Sequence, residues 1–134
     1  MPGLPPSLLR GVLWSCDDTR HPDRAAFGTA LHQYQVDIRG DAGRWDPTAR
    51  ILPVPRVRIS FTCWDDEEQV EATLALEASD GAGFDALELM HGVCDGIAAH
   101  LRVHGRELYD HHFFEGLSQV PSEGTAHYAV DFGS

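Results

Sequence analysis

Histidine is the residue type through which this sequence comes closest to chemistry. Five of its eight histidines fall between positions 91 and 112, and Asp110-His111-His112-Phe113-Phe114-Glu115 sets two imidazoles beside two carboxylates. His100 and His104 stand four residues apart, the spacing by which one helix face offers two nitrogens to zinc. With His111, His112 and Glu115 they form a candidate set for a divalent metal, and so a candidate metal-dependent enzyme. Two features weigh against it. Position 101 is Leu, where a zinc protease needs a general-base Glu, and consecutive strand residues such as His111 and His112 face opposite sides. The plainer expectation is a helix-capping His104, an exposed His100, two histidines where a strand begins, and no cofactor.

A second cluster, His91, Cys94 and Asp95, has the helical spacing that brings side chains within reach and would allow a Cys-His dyad. Cys94 falls in the middle of an apolar stripe, however, where a free cysteine behaves as a small buried hydrophobe. Three dispersed cysteines, Cys16, Cys63 and Cys94, make neither a disulfide framework nor a C-x-x-C zinc pair, which places the chain in a reducing, cytoplasmic setting. Lysine is absent, so Schiff-base and P-loop chemistry are excluded, and no G-x-S-x-G or G-x-G-x-x-G is present.

The run Trp64-Asp65-Asp66-Glu67-Glu68 carries a different signal. Strand parity turns Trp64 away from the core, directly before four carboxylates in a hairpin turn. An outward aromatic beside acids is a candidate anchor for a basic protein, the ring supplying packed area and the acids steering encounter. The bland alternative is a ring folded over the sheet edge, or covered by the segment 40–55 and Trp45.

Charge supports the partner reading. The 134 residues carry a formal charge of -11, unevenly distributed. Residues 1–58 hold eight Arg against six acids, whereas residues 59–134 hold Arg102 and Arg106 against fifteen acids. Such a balance repels nucleic acid and anionic membranes. No apolar run reaches the roughly 18 residues of a membrane span, and no secretory leader is expected. The absence of Lys and Asn suggests a GC-rich, bacterial genome.

The elements that must position these residues are legible in part. Val57, Ile59, Phe61 and Cys63 alternate with Arg58, Ser60, Thr62 and Trp64, and Val70, Ala72, Leu74 and Leu76 continue the alternation after the acidic turn. Opposed residues should have numbers summing to 133, with 65–68 as a four-residue loop. Tyr34, Val36 and Ile38 predict a further strand ending at Gly40, and residues 10–16 lean towards strand. Asp17 to Phe27 reads as a loop with a short helix after Pro22. Leu87, Met90, His91, Cys94, Ile97, Ala98 and Leu101 predict the one long helix, closed by Gly105. Gly92 and Gly96 within it imply close approach to the sheet or to a neighbouring chain. Segments 111–120 and 125–132 predict a last hairpin with Tyr128, Val130 and Phe132 inward.

The expected architecture is a single α+β domain over 1–134: an antiparallel sheet of five or six strands, one long amphipathic helix on one face, and a frayed Pro-rich tail at 1–6. The expected function is a small acidic cytoplasmic binding protein, non-catalytic and immunity- or adaptor-like towards a basic protein, with a homodimer open to it. Its alternatives are the metal-dependent enzyme and a small-molecule sensor with a pocket between sheet and helix.

Overall fold

The computed structural model describes residues 3–43 and 45–134. Arg44 lies outside them, as do Met1 and Pro2 of the tail expected to fray. The chain is α+β and runs β1 (Ser7–Leu8), β2 (Trp14–Ser15), α1 (Arg24–Arg39), β3 (Arg50–Leu52), β4 (Arg56–Asp65), β5 (Glu68–Glu77), β6 (Phe84–Asp85), α2 (Ala86–His104), β7 (Phe113–Gln119) and β8 (Ala126–Gly133). β3 and β6 form a small sheet of their own. The main sheet has six strands, in the order β1-β7-β8-β4-β5 with β2 also on β7.

β4 and β5 pair without a break from Arg56↔Glu77 to Asp65↔Glu68. The register is the expected one, but the turn is shorter. Asp65 and Glu68 still pair, so only Asp66 and Glu67 turn, with Asp66 at φ 53 in the left-handed region. Asp tolerates that region better than most residues, which lets a two-residue turn form without glycine.

The sheet is mixed, not antiparallel throughout. Gly92 lies against Leu76 and Gly96 against Leu74, so α2 runs antiparallel to β5 across the sheet's inner face. The last hairpin then follows with either arm able to meet β4. Its second arm does so, and β8 lies parallel to β4 with Val57↔Ala126 and Ile59↔Tyr128. β8 brings the large inward residue of the hairpin to the centre. Tyr128 is fully buried, and its hydroxyl donates to the Pro5 carbonyl at 2.6 Å. Val130 and Phe132 are only partly buried.

Two helices pack on the inner face where one was expected. Residues 34–38 are the end of α1, not a strand. Asp23 caps the helix by accepting from Ala25 and Ala26, and Gly40, at φ 88, closes it. The buried positions are Phe27, Leu31 and Gln35, spaced by four. Hence Ile38, expected inward, is 61% exposed, while Gln35, expected outward, is 1% exposed. Its amide is fully used. Oε1 accepts from Leu13 N–H at 2.9 Å, and Nε2 donates to the carbonyls of Leu13 and Leu31. A backbone segment that no strand pairs is thereby satisfied by a side chain.

The expected tail is also tied down from Leu4 onward. Leu4 packs on the core, and the Pro6 carbonyl accepts from Gln119 N–H at 2.9 Å. α2 is the expected long helix, with Gly105 at φ 63 as its C-cap and Arg102 and His104 in its last turn; its N-cap is Asp85. Leu89, Met90, Val93 and Ile97 of its apolar stripe are each 0% exposed.

Gln35→Leu leaves the N–H and carbonyl of Leu13 unpaired in the interior and should cost about 2–4 kcal/mol in chemical denaturation. Ile38→Lys should change stability by less than about 0.5 kcal/mol. A reversed order would mean that α1 presents its other face to the core.

Candidate functional site

Trp64, the acidic turn and the segment that follows α2 meet at one end of the molecule. Beyond Ser60, β4 no longer pairs with β8, and the chain that follows α2 takes over that edge. Trp64 N–H donates to the Glu107 carbonyl at 2.8 Å, and Glu107 N–H returns a bond at 3.0 Å. Leu108 is buried beneath this bridge. Tyr109 turns back through a left-handed conformation, φ 52, and its hydroxyl donates to the carbonyl of the other left-handed residue, Asp66, at 2.8 Å. Two strained residues thus hold each other in place.

Trp64 is partly buried between the two aromatics of this segment. His111 stacks on its indole at 5.4 Å and 18°, and Tyr109 lies at 6.0 Å. Trp45 is elsewhere, lining a separate groove with Leu8, Leu9 and Ile51. Trp64 therefore acts as the platform on which 109–111 rests, and Tyr109, 52% exposed, offers the free aromatic surface.

Carboxylates surround the platform. Asp65, Asp66, Glu67 and Glu68 are exposed at the hairpin tip, Glu107 and Asp110 follow the helix, and Asp17 and Asp18 line the facing loop. None of these eight carboxylates has a salt-bridge partner among the described residues. Between loop and helix end lies an open cleft of about 510 Å³, whose walls include Cys16, Asp17, Asp18, Arg106, Glu107 and His112. The C-terminus of α2 points its negative dipole to the same end.

The five metal candidates do not converge. His100 and His104 are neighbours, with ring centroids 4.4 Å apart. His100, however, accepts from the Arg106 guanidinium at 2.9 Å and packs edge-on against Phe61. His111 is stacked on Trp64, and His112 Nδ1 bonds Ser15 Oγ at 2.8 Å. Glu115 lies in β7 beside Gly133. Among the described residues no three His, Cys, Asp or Glu side chains are placed to share an ion.

The other cluster is structural as well. Asp95 accepts from Arg20 at 2.8 and 2.9 Å and from His21 N–H at 2.8 Å, and the Arg20 guanidinium holds its carboxyl below the ordinary range. His91 bonds the His21 carbonyl through Nε2. These contacts fasten the loop 17–22 to α2. Burial pushes the Cys94 thiol well up, the adjoining Cys16 thiol adding to the shift, and burial also raises Cys63 against the opposing charge of Arg106. Neither is a thiolate near neutral pH.

A polar group that the sequence did not flag lies on the sheet's outer face, where Ser60 bonds both His127 and Thr73. The register Ser60↔Thr73 and the parallel β8 bring it together, and only the second of these was unreadable. Ser60 is 3% exposed, beneath its neighbours, so the pair lacks an accessible nucleophile.

Fold and site together define an α+β protein with a mixed six-stranded sheet and one strongly acidic end. No family model, curated protein or solved structure matches the chain.

Burial holds the His100 imidazole below its ordinary value, and the charges of His104 and Arg106 add to this. The unfolded chain therefore takes up a proton near pH 6.5 that the folded chain refuses. Stability should be full above that pH and decline as pH falls towards 5. In thermal melts, His100→Gln, whose amide oxygen still accepts from Arg106 but does not titrate, should show a shallower decline. An identical slope would place the pH dependence elsewhere.

Proposed function

We propose that the protein is a non-catalytic binding protein, immunity- or adaptor-like, whose acidic end receives a basic protein surface. One observation carries this reading: eight exposed carboxylates share one end, without cation partners among the described residues, on backbone fixed by the bridge between Trp64 and Glu107 and by the bond between Tyr109 and Asp66. Like charges gathered so closely repel one another, which disfavours the isolated fold and favours a complex that neutralises them. The rigidity of the end lowers the ordering cost of binding. Tyr109 at its centre supplies an aromatic face suited to an arginine or lysine side chain. Three free, buried cysteines support a reducing, cytoplasmic setting.

Capture from the source cells, compared between the parent protein and the variant with Asp65, Asp66, Glu67 and Glu68 changed to Ser, tests the reading. A basic protein should be retained by the parent and lost or weakened with the variant. Its association rate should fall as salt rises, because exposed charges are screened beyond roughly 8 Å at physiological salt, and the Ser variant should lose both rate and salt dependence. Trp64→Ala, by releasing Tyr109, should mainly raise the dissociation rate. A captured partner indifferent to all of these changes would remove the acidic end from the interface.

A further inference from the structure

The main sheet ends on two-residue strands at one edge and on a ten-residue strand at the other. β1 and β2 lie on the outer side of β7, and β5 has no strand beyond it among the described residues. The phase of the ladder shows which groups the open edge offers. Trp64 uses its N–H and carbonyl on Glu107, on the side of β4 away from β5, and Ala78 N–H donates to the Pro55 carbonyl at 2.8 Å. Odd residues of β4 therefore bond even residues of β5. By alternation, Gln69, Glu71, Thr73, Ala75 and Glu77 aim their N–H and carbonyl groups outward. All five are exposed.

Monomeric proteins blunt such an edge with charged side chains, lysine above all, with proline, with a bulge or with a very short strand. β5 has no proline, lysine or bulge and pairs residue for residue with β4 over its ten residues; its charges are the carboxylates Glu68, Glu71 and Glu77, whose placing then decides the register. We propose that β5 pairs antiparallel with β5 of a second copy of this chain, about a twofold axis at Thr73, joining the two main sheets into one.

The register follows from the side chains. An axis at Thr73 sets Glu71 against Ala75 and Gln69 against Glu77 on the outer face, and Ala72 against Leu74 and Val70 against Leu76 on the inner face. No carboxylate meets another, and every inner apolar residue meets an apolar one. Moving the axis to Glu71 sets that carboxylate against itself. Moving it to Ala72 sets Leu76 against Glu68, and moving it to Leu74 sets Glu71 against Glu77. Glu77 is in addition already matched by Arg56 at 3.4 Å in its own chain. The pairing would supply about ten backbone hydrogen bonds, two for each directly opposed bonded pair. It would also cover Leu74 and Leu76, which their own chain leaves partly exposed. Because each copy uses its one long edge strand, and β1 and β2 at the other edge are only two residues long, assembly stops at two.

Sedimentation velocity of the full chain over a concentration series, at low and at 0.5 M salt, reads the outcome. The parent should sediment at twice the chain mass of 14.8 kDa, and more fully at high salt, where repulsion between two chains of charge -11 is screened. That dependence is opposite in sign to the one expected of the acidic end, so the two interfaces fail or succeed separately. Thr73→Pro removes an outward N–H that β4 does not use, and Thr73→Lys sets like charges face to face across the axis. Both should give folded monomers by circular dichroism, while Thr73→Val should remain dimeric. Should the proline variant fail to fold, the lysine variant reads the same interface. A parent that stays monomeric at every concentration and salt, or a dimer that survives Thr73→Lys, would overturn the proposal.

Discussion

The side-chain amide of Gln35 does for the N-terminal segment what a neighbouring strand would have done. Donor and acceptor of one amide meet acceptor and donor of Leu13, as two strands exchange bonds, and the spare N–H returns to α1 through Leu31. An unpaired peptide group in the interior costs as much as a lost hydrogen bond or more, so this substitution of side chain for backbone is what permits residues 9–13 to lie under a helix instead of in the sheet. The position of β2 follows from it. Trp14 can then pack on Phe27 and Tyr34, Ser15 can reach His112, and Cys16 can close the floor of the cleft. The acidic end is built on a polar contact in the core.

That same residue explains where the sequence misleads. Tyr34, Val36 and Ile38 alternate as a strand would, but three alternations are too few to separate a period of 2 from one of 3.6. The helical reading required accepting a buried Gln on the core face, against the usual placing of amides. The true pattern, Phe27, Leu31 and Gln35, is visible only once Asp23 and Gly40 are recognised as the two caps. By contrast β4, β5 and α2 were legible because each is long, has one apolar face, and ends on a residue with a defined job, such as Gly105. The parallel pairing of β8 was not readable from local pattern. Both arms of the last hairpin alternate well enough to serve as a central strand, and the choice between them depends on packing around Tyr128.

The site was legible as composition and illegible as geometry. The acids of the hairpin tip could be placed from the register alone. What stands beside them could not, because Glu107, Tyr109 and His111 arrive from a segment with no periodicity whose path is set by its bridge to Trp64. The histidines show the reverse case. Their crowding in the sequence suggested convergence, but α2 ends between His104 and His111, and His100, His111 and His112 then find neighbours of different kinds: a guanidinium, an indole and a hydroxyl.

β8 is synthesised after every other strand of the main sheet, yet it lies between β7 and β4. A chain leaving the ribosome can form the hairpin of β4 and β5 and lay α2 on it, but the sheet remains in two parts until β8 has emerged, and the Pro5 carbonyl has no hydroxyl to receive until Tyr128 arrives. Closure of the main sheet is therefore a late step, with the β4 edge that β8 will occupy left open in the nascent chain until then. During that interval the apolar row Val57, Ile59, Phe61 lacks the cover of Ala126 and Tyr128, which stand beside Val57 and Ile59 in the finished sheet.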